Sequence, residues 1–365
     1  MYLSPSFLKL TSRAALGLLV AGTLAIGGGC APSSPEAKPS GGTDGSVSTP
    51  TEGAKKIKVG IVFDTGGRGD KSFNDSAWRG LQRAEKELGV EVLAVDSKSE
   101  KDYETNLAGA VEQGANLVIA VGINMQSAIS KVAPEHPEAK FAIVDADVKM
   151  DNVRSLLFTE HEGSFLVGYL AGLMSKSGKL GFIGGQELPL IKKFEVGFIA
   201  GAKTAKKETE VLPAKYTGSW DDIDKAKLAA NQLYGQGADI IYHAAGRAGL
   251  GLIRAAKEGG KWAIGVDSDQ DSIEPGSVLT SMIKRVDEAV FQTVKDLSDD
   301  KFTAGSKVYN LASNGVGTSD FTHTKEQIGA DNLEKLRTVQ DQITKGEIKV
   351  PETQEELEAY LATMK

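Results

Sequence analysis

Three aspartates stand directly after apolar runs: Asp64 follows residues 57–63, Asp145 follows 141–144 and Asp267 follows 262–266. If those runs are strands of an open parallel sheet, the acids lie beyond the strands' carboxyl ends, where loop amides and helix N-termini converge and ligands bind. An ionised carboxylate only accepts hydrogen bonds and can take two from vicinal hydroxyls, so three such acids suit a sugar. Helix capping is the alternative role for any one of them. The segment 70–75 (DKSFND) sets Phe73 in a polar cluster, and Phe194 stands about as far beyond a strand in the second half of the chain. Two aromatics facing across a cleft can sandwich a planar base, a contact worth about 1–3 kcal/mol per base. Alternatively, Ser72 or Asn74 caps the following helix and Phe73 packs as a hydrophobic staple.

Patterns for catalysis are weak. His136, His161, His243 and His323 share no metal-ligand spacing, and there is no serine elbow or cysteine nucleophile. His161 opens a helical stretch and reads as a structural histidine. Gly246, Gly249 and Gly251 lack the spacing of a dinucleotide loop, so Gly246 marks a close backbone approach to a ligand or a tight turn. The acid pairs Asp221 with Asp222 and Asp299 with Asp300 read as solvated turns. These features describe a binding protein without catalytic residues, metal or cofactor.

The elements that must position these residues alternate along the chain. Apolar runs at 57–63, 91–95, 117–121, 141–144, 179–183, 240–242, 262–266 and 278–283 are mostly near-continuous, as expected of strands buried on both faces of a parallel sheet. Amphipathic stretches at 75–88, 102–113, 125–133, 160–174, 193–206, 223–236 and 248–258 lie between them, several ended by glycine, as at Gly89, Gly114 and Gly237. The repeated βαβα pattern predicts an α/β fold with right-handed crossovers.

The two halves echo each other, each opening with a strand, a loop of about ten residues and an aromatic, which predicts two Rossmann-like lobes with parallel central sheets facing one cleft. A helix at 287–298, a strand at 307–311 and a last helix at 333–345 follow, so the chain crosses between lobes more than once. The expected crossings lie near 158–160, 284–285 and 306–308 and form a multi-strand hinge. One lobe is then 56–159 with 285–306, the other 160–284 with 307–350, and 351–365 is a tail.

At the N-terminus Lys9 and Arg13 precede an apolar run at 14–26, then three glycines and Cys30, the single cysteine of the 365 residues. Spanning a bilayer takes roughly 20 apolar residues, so this order reads as a cleaved signal peptide over 1–29. Cys30 is the expected lipidation site, with Gly27 in the place where an aliphatic residue is usual. Residues 30–55 form the lipidated cysteine and a flexible tether that lacks any apolar periodicity. With 42 Lys and Arg against 49 Asp and Glu the net charge is −7, and no basic stripe suggests a nucleic-acid partner. The expected location is the extracytoplasmic face of the cell membrane.

The stretches 59–75 (VGIVFDTGGRGDKSFND), 141–145, 160–171 (EHEGSFLVGYLA), 181–203 (GFIGGQELPLIKKFEVGFIAGAK), 242–249, 265–269 and 346–351 (GEIKVP) resemble the basic membrane protein family of bacterial lipoproteins, which includes PnrA-like purine nucleoside receptors. That resemblance implies a type I periplasmic-binding-protein fold that delivers a nucleoside to an ABC permease and its ATPase. It implies that Phe73 and Phe194 stack on the base, with Tyr242 as the other contender for the second position. It further implies that Asn74 and Asp145, with Asp64 beside them, make polar contacts to base or ribose, that Asp267 and Lys284 hold the ribose, and that Gly246 offers its backbone. Two other classes remain open: a sensor that presents a sugar or autoinducer-like ligand to a membrane kinase, and a nucleoside hydrolase using the strand-end aspartates.

Overall fold

The structure is a computed structural model and describes residues 56–364; the signal peptide, Cys30 and the tether to residue 55 lie outside the described residues. The apolar runs form strands because Val, Ile, Ala and Phe are covered on both faces, and the amphipathic stretches form the helices that cover them. The chain opens with β1 (Lys58–Phe63), α1 (Phe73–Leu88), β2 (Glu91–Asp96), α2 (Tyr103–Glu112), β3 (Leu117–Val121), α3 (Gln126–Glu135), β4 (Lys140–Val144) and β5 (Val153–Phe158). It continues with α4 (Glu160–Met174), β6 (Lys179–Gly184), α5 (Pro189–Ala205), β7 (Glu210–Val211), β8 (Lys215–Tyr216), α6 (Ile223–Gly235), β9 (Ile240–Ala244), α7 (Leu250–Gly259), β10 (Trp262–Asp267) and β11 (Val278–Lys284). The remainder is α8 (Val286–Ser298), β12 (Gly305–Tyr309), β13 (Val316–Thr318), α9 (Lys325–Ile328), α10 (Ala330–Thr344) and α11 (Gln354–Thr363).

Two sheets result. The first is wholly parallel, in the order β12-β5-β4-β3-β1-β2. The second runs β13-β11-β10-β9-β6-β7, with β8 also on β6, and is parallel except that β13 lies antiparallel to β11. Helix α8 packs on α1 beside the first sheet, whereas α10 packs on α4 and α11 on α5 beside the second. One apolar core runs from Val59, Ile61 and Phe63 of the first sheet to Phe165, Phe182 and Phe198 around the second.

Several boundaries differ from the sequence reading. Strand β5 was not expected, because Arg154 and Ser155 interrupt its apolar run. Both polar side chains are satisfied inside the fold, Arg154 by Asp296 and the Thr303 carbonyl, Ser155 by the backbone of Val148. Strand β12 pairs with β5 through Tyr309, so the third crossing between sheets follows Tyr309 instead of falling within 306–308. The expected tail at 351–365 contains α11, whose Leu357 is buried and whose Tyr360 packs edge-on to Phe165. Strands β7, β8 and β13, of two or three residues each, carry no periodicity that could announce them.

Three helices start two or more residues earlier than their apolar periodicity suggested, α10 at Ala330 and the two that bear on the site, α1 and α5. Helix α1 begins at Phe73 because the Asp70 carboxylate accepts the backbone N–H groups of Ser72, Asn74 and Asp75 at 2.9, 2.8 and 3.1 Å. It thereby takes over the capping role considered for Ser72 or Asn74, neither of which makes a side-chain cap. Helix α5 begins at Pro189, whose fixed φ suits the first helical position. Phe194 therefore projects from the second turn of a helix instead of a loop.

Candidate ligand-binding site

The carboxyl ends of the two sheets face each other across a cavity. Asp64, Phe73, Asn74, Asp145, Phe194, Gly246, Asp267 and Lys284 all line it. Asp145 directly follows β4 and Asp267 ends the equivalent strand β10, and both adopt left-handed backbone, φ 71° and 64°. Aspartate tolerates that conformation better than most side chains, and it turns the chain out of the strand where each carboxylate meets the cavity.

At one end of the cavity a cation sits among acids. Lys284, 1% exposed at the end of β11, donates to Asp145 at 2.7 Å and lies 3.1 Å from the buried Glu160, the first residue of α4. Its Nζ is also 5.3, 5.0 and 5.5 Å from the ring centres of Phe73, Phe158 and Phe194. Burial alone would push the ammonium's pKa down, but Asp145, Glu160 and Asp267 more than reverse this and hold it above its ordinary value. Burial pushes Glu160 up against the pull of Lys284. Asp267 is raised by burial to about 7, although Lys284 and a hydrogen bond from Ser72 favour its charged form. Asp267 Oδ2 accepts from Ser72 Oγ at 2.6 Å, while the ion pairs of Lys284 go to Asp145 and Glu160.

At the other end the acids have no cation. Asp64 Oδ1 accepts from Gly66 N and Asn74 Nδ2, both at 2.9 Å, and burial raises its carboxyl to about 6 against those bonds. Asp70 is fully occupied by backbone N–H groups and by Asn74 Nδ2, and burial raises it too. The Asn74 carbonyl oxygen is buried without a partner.

Hydrogen bonds stitch the segment 68–72 of the first lobe to the second. Arg247 Nη2 donates to the Arg68 carbonyl at 2.7 Å, Gln270 Nε2 to Lys71 at 3.1 Å, and Ser268 Oγ to Ser72 at 2.8 Å. Gln270 is itself held by His243 Nε2 at 3.0 Å. Burial pushes this histidine down to about 4, so it is neutral at pH 7. Gly249 lets the chain close over it, since a Cβ there would fall 1.9 Å from the ring.

Tyr242, the other contender for stacking, does not reach the cavity. It is fully buried, bonded to Ser164 at 3.1 Å and packed against Phe182 and Phe198. Two residues before the end of β9, it belongs to the core face. The close approach at Gly246, φ 55°, is to the Trp220 carbonyl, 3.3 Å from where a Cβ would stand.

Sequence reasoning missed Glu160 and Trp220. An acid in the first turn of a helix reads as an ordinary dipole partner, and nothing in the sequence around Trp220 brings it next to Gly185. Its ring lies over Gly185, where a Cβ would be 2.3 Å away, and Trp220 lines the cavity beside Gly66. Among the described residues no group of three or more His, Asp, Glu or Cys is arranged to hold a metal ion.

Residues 57–354 match the family described as Bmp, ABC transporter substrate-binding protein PnrA-like. The chain belongs to that family. It is 37% identical over 333 residues, covering 85% of this chain and 92% of the relative, to the ABC transporter nucleoside-binding protein BmpA of Lactococcus lactis subsp. cremoris. It is 36% identical over 367 residues, 94% of this chain and 99% of the relative, to the CD4+ T-cell-stimulating antigen of Listeria innocua. Among solved structures, an ABC transporter system solute-binding protein from Aeropyrum pernix K1 superposes with a TM-score of 0.76 at 31% identity, over 84% of this chain and 98% of that one.

The Bmp chain described here is thus an ABC transporter substrate-binding protein with the type I periplasmic-binding-protein fold. Proteins of this kind act outside the cytoplasm, where they bind a substrate for an ABC permease and its ATPase, and they are not enzymes. Among the described residues no helix is long and apolar enough to cross a membrane.

Proposed function

We propose that this Bmp-family protein captures a purine nucleoside between its two lobes and presents it to the permease while tethered to the membrane by a lipid on Cys30. The observation that carries the ligand is the pairing, in one cavity, of aromatic rings from both lobes with buried carboxylates at two separate ends. A base fits between Phe73 and Phe194, and its polar edge falls toward Asn74 and Asp64. The ribose hydroxyls then donate to Asp267 and Asp145, whose charges Lys284 balances. The relative named a nucleoside-binding protein supports the same reading.

Closure about the crossings near Phe158, Lys284 and Tyr309 buries the ligand, and a missing hydroxyl leaves a buried carboxylate unpaired. Calorimetric titration tests this: ribosides are expected to bind at least about tenfold more tightly than 2′-deoxyribosides. Equal affinities would remove the ribose role of Asp267 and Lys284. For the anchor, a Cys30→Ala variant should leave the membrane fraction, and one that stayed would refute lipidation there.

A further inference from the structure

Arg247 reaches the cavity from the second lobe. Strand β9 ends at Ala244, the chain turns at Gly246 with φ 55°, and a single helical turn over Gly246–Gly249 follows. Ala248 N pins that turn by donating to the Trp220 carbonyl at 3.0 Å, so the Arg247 side chain leaves a fixed backbone. Its guanidinium crosses to the first lobe. There Nη2 donates to the Arg68 carbonyl at 2.7 Å and lies 3.5 Å from where a Cβ on Gly69 would stand. The receiving segment is itself held, because the Arg68 side chain donates to Asp96 at 2.6 and 3.0 Å and lies 5.4 and 5.2 Å from the ring centres of Phe63 and Trp78. The Arg247 Nε–H, by contrast, is buried on a residue that lines the ligand cavity and has no partner among the described residues.

A guanidinium keeps its charge at any ordinary pH, and a buried charged donor without an acceptor is more costly than a neutral one. The guanidinium is also a rigid plane, so Nε cannot turn elsewhere while Nη2 keeps the Arg68 carbonyl. Resting on the nucleoside reading above, we propose that Arg247 determines specificity and latches the cleft: Nε–H donates to an acceptor atom of the bound base while Nη2 holds the first lobe closed over it. The ligand class this selects is a base with a carbonyl oxygen or an unprotonated ring nitrogen facing the second lobe. A base that presents only N–H or C–H there leaves the donor buried and unpaired, the kind of mismatch that discriminates most strongly. One side chain thereby couples ligand to closure, since opening the lobes breaks the bond to Arg68 and frees Nε from the base.

The test pairs ligand atoms with the side chain. Inosine offers three acceptors on its base, O6, N7 and N3, which purine riboside, 7-deazainosine and 3-deazainosine remove in turn. In calorimetric titration of the unmodified protein, one of these analogues should bind at least about tenfold more weakly than inosine. In Arg247→Met inosine itself should weaken by a similar factor, and that same analogue should lose nothing further, a non-additive pair. Stopped-flow tryptophan fluorescence should show the loss mainly as faster dissociation, because the latch to Arg68 is gone. Arg247→Lys keeps the charge and the apolar stem without the Nε–H, so it should lose the same discrimination, which separates the contact from folding and net charge. Wild-type affinity of Arg247→Met for inosine, or discrimination among the analogues unchanged in either variant, would overturn the inference and leave the nucleoside reading standing. Failure of every nucleoside to bind the unmodified protein overturns both.

Discussion

The two ends of the cavity use the same residue type in opposite ways. At one end Asp145, Asp267 and Glu160 surround a buried lysine, which offsets part of their charge within the protein. At the other, Asp64 and Asp70 have no cation and depend on backbone and amide N–H groups. The lysine end can thus accept hydroxyl donors without needing a charged ligand. On the nucleoside reading proposed above, the sugar hydroxyls go to that end and the base edge to the amide end.

The sharpest break to this comparison is removal of the cation. Lys284→Met should destabilise the protein by about 3–5 kcal/mol, because it leaves two carboxylates buried without compensation. Glu160→Gln should cost distinctly less, since the Lys284 to Asp145 pair survives. Urea unfolding of both variants checks the order. If Lys284→Met unfolded at the wild-type midpoint, the lysine would not be what balances that end.

A second, smaller effect separates the ends by pH. Asp64 and Asp267 are raised from 3.8 to about 6 and about 7. Below 3.8 folded and unfolded chains are both protonated at these groups, and their contribution to stability is complete. Between 3.8 and the raised values the folded protein keeps protons that the unfolded chain has released, so stability falls as pH rises through that window. On these two carboxyls alone the ligand-free protein should be more stable at pH 5 than at pH 8 by on the order of a few kcal/mol, an effect that His243, held down to about 4 from 6.5, partly offsets below pH 6.5. Surface acids such as Asp96, pulled down by its hydrogen bond from Arg68, titrate below this window. Denaturation midpoints across pH measure the slope, and Asp267→Asn should erase its upper part near pH 7 while leaving the part near pH 6. A profile for Asp267→Asn that matched the wild type would mean that this carboxyl carries no burial penalty.

Much of the architecture was legible because strands covered on both faces must be apolar between their ends, as β1, β3, β4 and β10 are. Strand β5 was not, since its Arg154 and Ser155 find partners, Asp296 and Val148, that only the folded chain brings near. The strand-end aspartates could be singled out because a βα unit puts its loop beyond the sheet and aspartate suits the left-handed turn there. What sequence could not supply was pairing. Nothing in SMIKRV distinguishes a surface lysine from one surrounded by three aromatic rings and two acids. Nor does a period of two tell which face of β9 carries Tyr242 into the core.

The finest test of the difference between the ends leaves the lysine untouched. Asp70 accepts four N–H groups from Ser72, Asn74 and Asp75. Asp70→Asn keeps the shape but replaces one acceptor oxygen with a donor. The cap on α1 should weaken by about 1 kcal/mol. The amide of Asn74 would also lose one of the two carboxylates that orient it. Affinity for the nucleoside should therefore fall, while the ratio of riboside to deoxyriboside affinity, assigned above to the lysine end, stays as in the wild type. Because Asp70 makes no hydrogen bond to Asp145, Glu160 or Lys284, its effect should add to that of Glu160→Gln in a double-mutant cycle. A coupling beyond about 0.5 kcal/mol would mean the two ends act as one network, and the separation of sugar from base recognition would have to be given up.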